Sequence, residues 1–174
     1  MNLLPEAFAA IRDFMEAGGN VLYGILFVTV LMWTFILERI GFFFVQLPRR
    51  IEQVRQAWER RGDTSSWYAR QIRAEEISRI RLECRRYLPL VKTLMAVLPL
   101  LGLLGTVTGM ISVFEVMALS GTGNARLMAA GVSRATIPTM AGLVAALSGL
   151  YFATWLQKKA ERETAGVADL LVCR

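Results

Sequence analysis

The sequence predicts an all-α integral membrane protein with three transmembrane helices. Two observations carry this. First, three long runs contain no charged residue: Val21 to Leu37 (17 residues), Thr93 to Phe114 (22 residues) and Ala135 to Gln157 (23 residues). A bilayer core takes about 20 helical residues, within a range of roughly 17 to 25. Second, the charge between the runs alternates. Between Pro48 and Leu88 stand eleven arginines and six acids, and after Leu156 four basic residues and three acids. The first 20 residues hold Arg12 against Glu6, Asp13 and Glu16, and Leu119 to Ser133 holds only Arg126. The positive-inside rule then puts the N-terminus outside, the arginine-rich loop inside, the short connection outside and the C-terminus inside. Three spans require that same alternation. The rival reading, three buried helices of a soluble bundle, asks for core helices of this length with no charge on any face.

Composition narrows the class further. Of 174 residues 55% are apolar, too many for an ordinary soluble domain, and the chain is too short for several domains. The net charge of +6 raises nucleic acid as a partner, but its placement follows the topology and points to anionic lipid headgroups on the cytoplasmic side. Cys84 and Cys173 both fall on that side, so no disulfide is expected, and neither has a metal-ligating neighbour. Histidine is absent.

The elements follow in order. Residues 1–20 form an external amphipathic lead, with Phe8, Ile11, Phe14 and Met15 at helical spacing and Gly18-Gly19-Asn20 ending the pattern. A helix lying on the outer face of the membrane and a plain first turn or two both fit it. The lead is acidic and no short apolar region precedes the first span, so no cleavable signal peptide is expected. Residues 21–47 make the first transmembrane helix, whose bulky interior, with Trp33, suits a lipid-facing position. Glu38-Arg39 marks its inner boundary, and Gly41-Phe-Phe-Phe-Val continues the apolar surface. Adjacent residues do not face each other on a helix, so each of these charges is expected to meet water, a headgroup or another helix.

Residues 48–87 read as a cytoplasmic helical hairpin extending the first two spans. Ile51, Val54 and Trp58 form one apolar stripe, Asp63-Thr-Ser-Ser supplies a turn with capping residues, and Ile72, Ile77, Ile80 and Cys84 form a second stripe from about Trp67. A solvated charged loop is compatible with the same residues. Some 40 residues leave no room for a separate catalytic domain. Residues 88–118 are the second span, with Pro99 inside it removing the hydrogen bond to the Met95 carbonyl. Residues 119–133 are the short periplasmic connection. Residues 134–157 are the third span, whose helix can start as early as Arg126, and Pro138 removes the bond to the Arg134 carbonyl. Residues 158–174 form a basic cytoplasmic tail.

The second and third spans hold residues that a lipid-soluble helix does not need. At about 100° per residue, Gly102, Gly105, Thr106, Gly109 and Val113 share one face. In the third span Ala135, Thr139, Gly142, Ala146, Gly149 and Ala153 fall within roughly a quarter of the circumference. Small residues let helix backbones pack closely in lipid, so pure packing explains these faces, with the threonines bonding their own helices. The alternative is a conduit lined by the Thr106 and Thr139 hydroxyls. A proton path needs a titratable group within the membrane. The second span has none between Lys92 and Glu115, and the third has none between Ala135 and Gln157. A partner chain must then bring the carboxylate. No metal cluster, carboxylate pair or nucleophile with a histidine base supports an enzyme, and no cofactor is implied.

Leu98-Pro-Leu-Leu-Gly-Leu-Leu-Gly-Thr-Val-Thr-Gly-Met, followed by Thr136-Ile-Pro-Thr-Met-Ala-Gly-Leu-Val-Ala-Ala, resembles the signature of the MotA/TolQ/ExbB proton-channel family. The likeness covers roughly residues 88 to 160. Three spans with an outside N-terminus fit the ExbB and TolQ branch rather than the four-span flagellar stators, and the short chain looks most like a compact ExbB of the TtpB type. The resemblance implies a homopentameric ring in a Gram-negative inner membrane, around a dimer of single-span ExbD-like partners. The partner's membrane Asp would exchange protons along a route lined by Thr106 and Thr139. The motion would pass to a TonB-like protein that opens outer-membrane receptors. A TolQ-like role in outer-membrane integrity and a scaffold without ion conduction are the alternatives. One position departs from the pattern. Many ExbB proteins carry Glu five residues before the threonine matching Thr139, where this chain has Arg134. On the wheel it points about 140° from Thr139. Two electrostatic roles fit it: pairing with Glu115 of the same or the next subunit, or setting the field at the partner's Asp.

Overall fold

The computed structural model describes residues 3–64, 66–120 and 125–171. Cys173, part of the 119–133 connection and the side chains of Phe8 and Arg126 lie outside that description. The described elements are all helices: α1 (Leu3–Gly41), a π-helical turn (Phe42–Gln46), α2 (Leu47–Glu59), α3 (Trp67–Arg85), α4 (Leu88–Ser120) and α5 (Ala125–Leu170). Three stretches, Gly18–Glu59, Trp67–Leu119 and Gly131–Leu170, are long and apolar enough to cross a membrane. Each contains one of the charge-free runs.

The boundaries have local causes. Gly19 breaks α1 with φ 66° and ψ −165°, a backbone region essentially reserved for glycine, where the amphipathic lead meets the first apolar run. The π turn precedes Pro48. Proline has no N–H, so the Phe44 carbonyl one turn back has no helical donor, and the chain widens instead, with the Leu47 N–H bonding Phe42 O. Ser66 caps α3 by accepting from the Ala69 N–H at 3.1 Å, and its own N–H donates to Asp63 Oδ1 at 3.0 Å. Helix α5 begins at Ala125, well before the charge-free run, and it continues through the tail to Leu170.

The helices divide between two compact units. The first comprises Met1–Met32 and Thr93–Gly149. There Leu22, Ile25 and Met32 of α1, Leu98 of α4 and Ala135 of α5 are buried, while Leu26, Phe27, Leu103 and Val144 are exposed. Apolar residues facing outward on such helices suit lipid.

The second unit comprises Trp33–Lys92 and Leu150–Arg174. Its core contains Ile36, Leu47, Ile80, Val91 and Leu156. Arg73 of α3 donates to the carbonyls of Ala168, at 2.7 Å, and Leu171. A guanidinium thus ties α3 to backbone carbonyls at the end of α5. Lys92 Nζ donates to Gln157 Oε1 at 2.6 Å.

Arg39 meets another helix, as the sequence predicts, but it also meets its neighbour Glu38, which the sequence reading held apart. It is 3% exposed and grips its neighbour Glu38 with two hydrogen bonds, Nε to Oε2 at 2.6 Å and Nη2 to Oε1 at 2.7 Å. Its third donor, Nη1, reaches the Glu83 carbonyl on α3 at 2.9 Å. The rings of Phe42 and Tyr87 lie 4.5 and 5.1 Å from the guanidinium carbon. Backbone directions on a helix do not bring adjacent residues together, but a long Arg stem folds back far enough to do so. Tyr87 itself has φ 66° and separates α3 from α4, and its ring also packs on Phe35 at 5.6 Å. A non-glycine residue held there needs such contacts around it.

These contacts predict that Arg39→Met lowers stability in detergent by about 2 kcal/mol, from lost charge-assisted hydrogen bonds. Arg39→Lys should recover only part of it, since lysine lacks the planar fork. Thermal unfolding of both variants checks this; an unchanged midpoint in Arg39→Met would show that the contacts contribute nothing.

Candidate functional site

The two small-residue faces meet inside the first unit. Pairs of positions step along α4 and backwards along α5, so the helices run antiparallel. A Cβ added to Gly142 would stand 2.6 Å from the Leu98 carbonyl oxygen, and one on Gly102 would stand 2.9 Å from Thr139 Cα. One on Gly105 would strike the Pro138 ring, one on Gly109 would stand 2.8 Å from Ala135 Cβ, and one on Gly131 would strike Val113. Gly149 continues the seam, facing Met32 and Met95. At Gly102, Gly109 and Gly142 the approach is set by backbone against backbone, and only glycine leaves room for it.

Gly102, Gly105, Ala135, Gly142 and Gly149 are buried, and Gly109 and Ala146 are half-buried. The wheel had put Thr106 on the same face. The structure puts it at the border, half-exposed, with its hydroxyl donating to Leu103 O of its own helix at 2.7 Å. The seam is narrow because the backbones nearly touch, so a residue 100° beyond Gly105 already clears it. Thr139 behaves differently. Its hydroxyl crosses the seam to donate to Gly102 O at 2.8 Å. The hydroxyls of Thr108, Ser112, Thr136 and Ser148 all donate to carbonyls of their own helices.

Sequence spacing found both threonines and did not separate them. The available signal was Pro138, whose ring packs on Gly105 and brings the next residue against Gly102. Thr108, Ser112 and Thr136 are further exposed hydroxyls that the sequence reading passed over. Each lies within four residues of a named glycine or threonine of the site. Arg134 and Glu115 are both exposed and form no ion pair with each other within the chain. The face that α4 turns outward carries Leu100, Leu103, Leu104, Val107 and Ile111. It is dry apart from Thr106, Thr108 and Ser112.

The arrangement is an apolar helix pair with self-satisfied hydroxyls and no titratable side chain at its centre. Residues 46–168 match the family model described as the MotA/TolQ/ExbB proton channel family. The chain belongs to that family. Among relatives, a Synechocystis protein provisionally named biopolymer transport protein ExbB-like 3 is 42% identical over 71 residues. That match covers 40% of this chain and 34% of the relative. A second Synechocystis protein, provisionally named biopolymer transport protein ExbB-like 1, is 44% identical over 69 residues, 38% of this chain and 27% of the relative. The chain therefore matches about a third or less of the curated relatives' length.

The seam yields a graded prediction. Gly142→Ala and Gly102→Ala should each destabilise the protein by about 1 to 3 kcal/mol, the usual cost of overpacking. Gly24→Ala, whose added methyl meets nothing within 4 Å, should be neutral or slightly stabilising. Thermal unfolding in one detergent ranks the three, and equal midpoints would contradict the close approach.

Proposed function

We propose that this chain is the ring-forming subunit of a proton-driven motor of the Ton type. In this reading it surrounds single-span ExbD-like partners whose membrane Asp takes up and releases the proton. A ring of five such chains converts the flow into motion that a TonB-like protein delivers to outer-membrane receptors. The observation that carries the reading is the chemistry of the α4–α5 pair. It offers hydroxyls and carbonyls at membrane depth but no acid between Lys92 and Glu115 or between Ala135 and Gln157. A family described by proton conduction, in a chain with no proton-carrying side chain there, calls for a second chain. The membrane is a bacterial inner membrane with the arginine-rich hairpin inside, as the charge asymmetry supports.

The threonines take different parts. Thr106 is half-exposed and its own-helix hydrogen bond is readily exchanged, so it is the hydroxyl that can serve a partner's carboxylate. Thr139 is committed to Gly102 and holds the lining in register. Arg134 raises the local positive potential on the outer half, which favours the ionised form of a nearby partner Asp. A second reading has one observation in its favour. The Thr139–Gly102 bond is what a scaffold without ion conduction would also use.

Proton uptake into vesicles carrying the chain with its partner separates the two readings. Thr106→Val should abolish flux and leave the ring assembled. Thr139→Val should abolish flux and lower stability by about 0.6 kcal/mol, the average worth of one interhelical hydrogen bond in a membrane. Thr139→Ser should keep both. Normal flux in both valine variants would leave the scaffold reading standing.

A further inference from the structure

In the second unit, a cleft of about 510 Å³ opens where the aromatic end of the first span gives way to arginine. Arg39, Phe42, Arg49, Arg50, Arg86 and Tyr87 line it, with Gln46 and Gln53 at its side and Glu38 and Glu83 as its acids. Four guanidinium groups face two carboxylates. Arg39 bonds both oxygens of Glu38, and Arg86 lies within reach of the same charge, so the cleft keeps two positive charges in excess. Arg49, Arg50 and Arg86 form no ion pair among the described residues. Arg86 rests on the Tyr87 ring at 5.0 Å, which fixes its plane and leaves its N–H edge unused.

Like charges gathered in one cleft repel, and an anion with several acceptor oxygens relieves them all at once. The planar fork of Arg matches phosphate oxygens, and Gln46 and Gln53 can donate to any oxygen left over. The frame that holds the cleft open is fixed by the buried Arg39, which ties α1 to the Glu83 carbonyl and packs on Phe42 and Tyr87. Phe42 and Tyr87 form the apolar part of the cleft wall, and Val45, next to Gln46 on the bordering turn, is exposed. An anionic headgroup in the cleft could lay its acyl chains along them.

We infer that this cleft binds a phosphate group, carried by an anionic phospholipid of the adjoining leaflet. Arg49, Arg50 and Arg86 hold the phosphate oxygens, the two glutamines complete the shell, and Phe42, Val45 and Tyr87 meet the acyl chains. The site is separate from the α4–α5 seam and needs neither a partner chain nor proton flow. A diffuse attraction between any basic surface and an anionic membrane would count all arginines alike. A built site counts these three.

The test measures lipid binding to the purified chain in detergent by native mass spectrometry, with phosphatidylglycerol against phosphatidylcholine. Wild type should retain phosphatidylglycerol preferentially. The triple variant Arg49→Gln, Arg50→Gln, Arg86→Gln should weaken its apparent affinity by about tenfold or more, since each lost contact is charge-assisted. The control triple Arg60→Gln, Arg70→Gln, Arg162→Gln removes the same charge at exposed positions and should bind as wild type. Each single cleft variant is measured too, so a triple that fails to fold does not remove the test. Inorganic phosphate is titrated in parallel. Saturable phosphate binding that the cleft variants lose, with no lipid preference, would assign the site to free phosphate. Equal losses in cleft and control variants, or none in either, would overturn the inference.

Discussion

The close approach of α4 and α5 is the constraint on which the first unit depends. Gly102, Gly109 and Gly142 give up side chains so that the backbones can nearly touch, and Gly105 and Gly131 make room for the Pro138 ring and the Val113 side chain. In lipid there is no hydrophobic drive to bring helices together, so association rests on contact area and on bonds between polar groups. Removing Cβ atoms supplies the first, and Thr139 to Gly102 supplies the second. Pro138 is central to both. Its ring fills the space beside Gly105, and its missing N–H leaves a carbonyl at Arg134 without its helical donor.

The second unit is held by a different chemistry. Three arginines there act through backbone and aromatic groups as much as through acids. Arg73 gathers the carbonyls at the end of α5, Arg39 joins α1 to α3, and Arg86 lies on Tyr87. The arginine-rich loop is therefore more than a topological marker. The arginines of this unit also tie helices together and shape a cleft.

Much of this was legible in the sequence, and the reasons are local. Ser66 is a capping residue by type and caps α3, and Pro89 stands beside the start of α4 at Leu88. The glycine faces were legible because helical periodicity is a backbone property. What spacing left hidden depended on where long or branched side chains end. It set Thr106 and Thr139 on equal terms, although one bonds its own helix and the other crosses the seam. It separated Glu38 from Arg39, which the flexible Arg stem brings together. It also gave no sign of the positive φ at Tyr87, because a left-handed residue that is not glycine is sustained by distant rings rather than by its neighbours in sequence.

The absence of titratable groups along the seam has a consequence for the cell that makes the chain. A membrane protein inserted before its partner arrives is a hazard if it conducts by itself, because the electrochemical gradient is shared by every process in that membrane. No side chain in the charge-free parts of α1, α4 and α5 binds a proton near neutral pH, and the hydroxyls within the seam are engaged with carbonyls. On the function proposed above, the lone subunit would not conduct. Surplus copies would then accumulate without discharging the membrane, and conduction would begin only with the complete assembly.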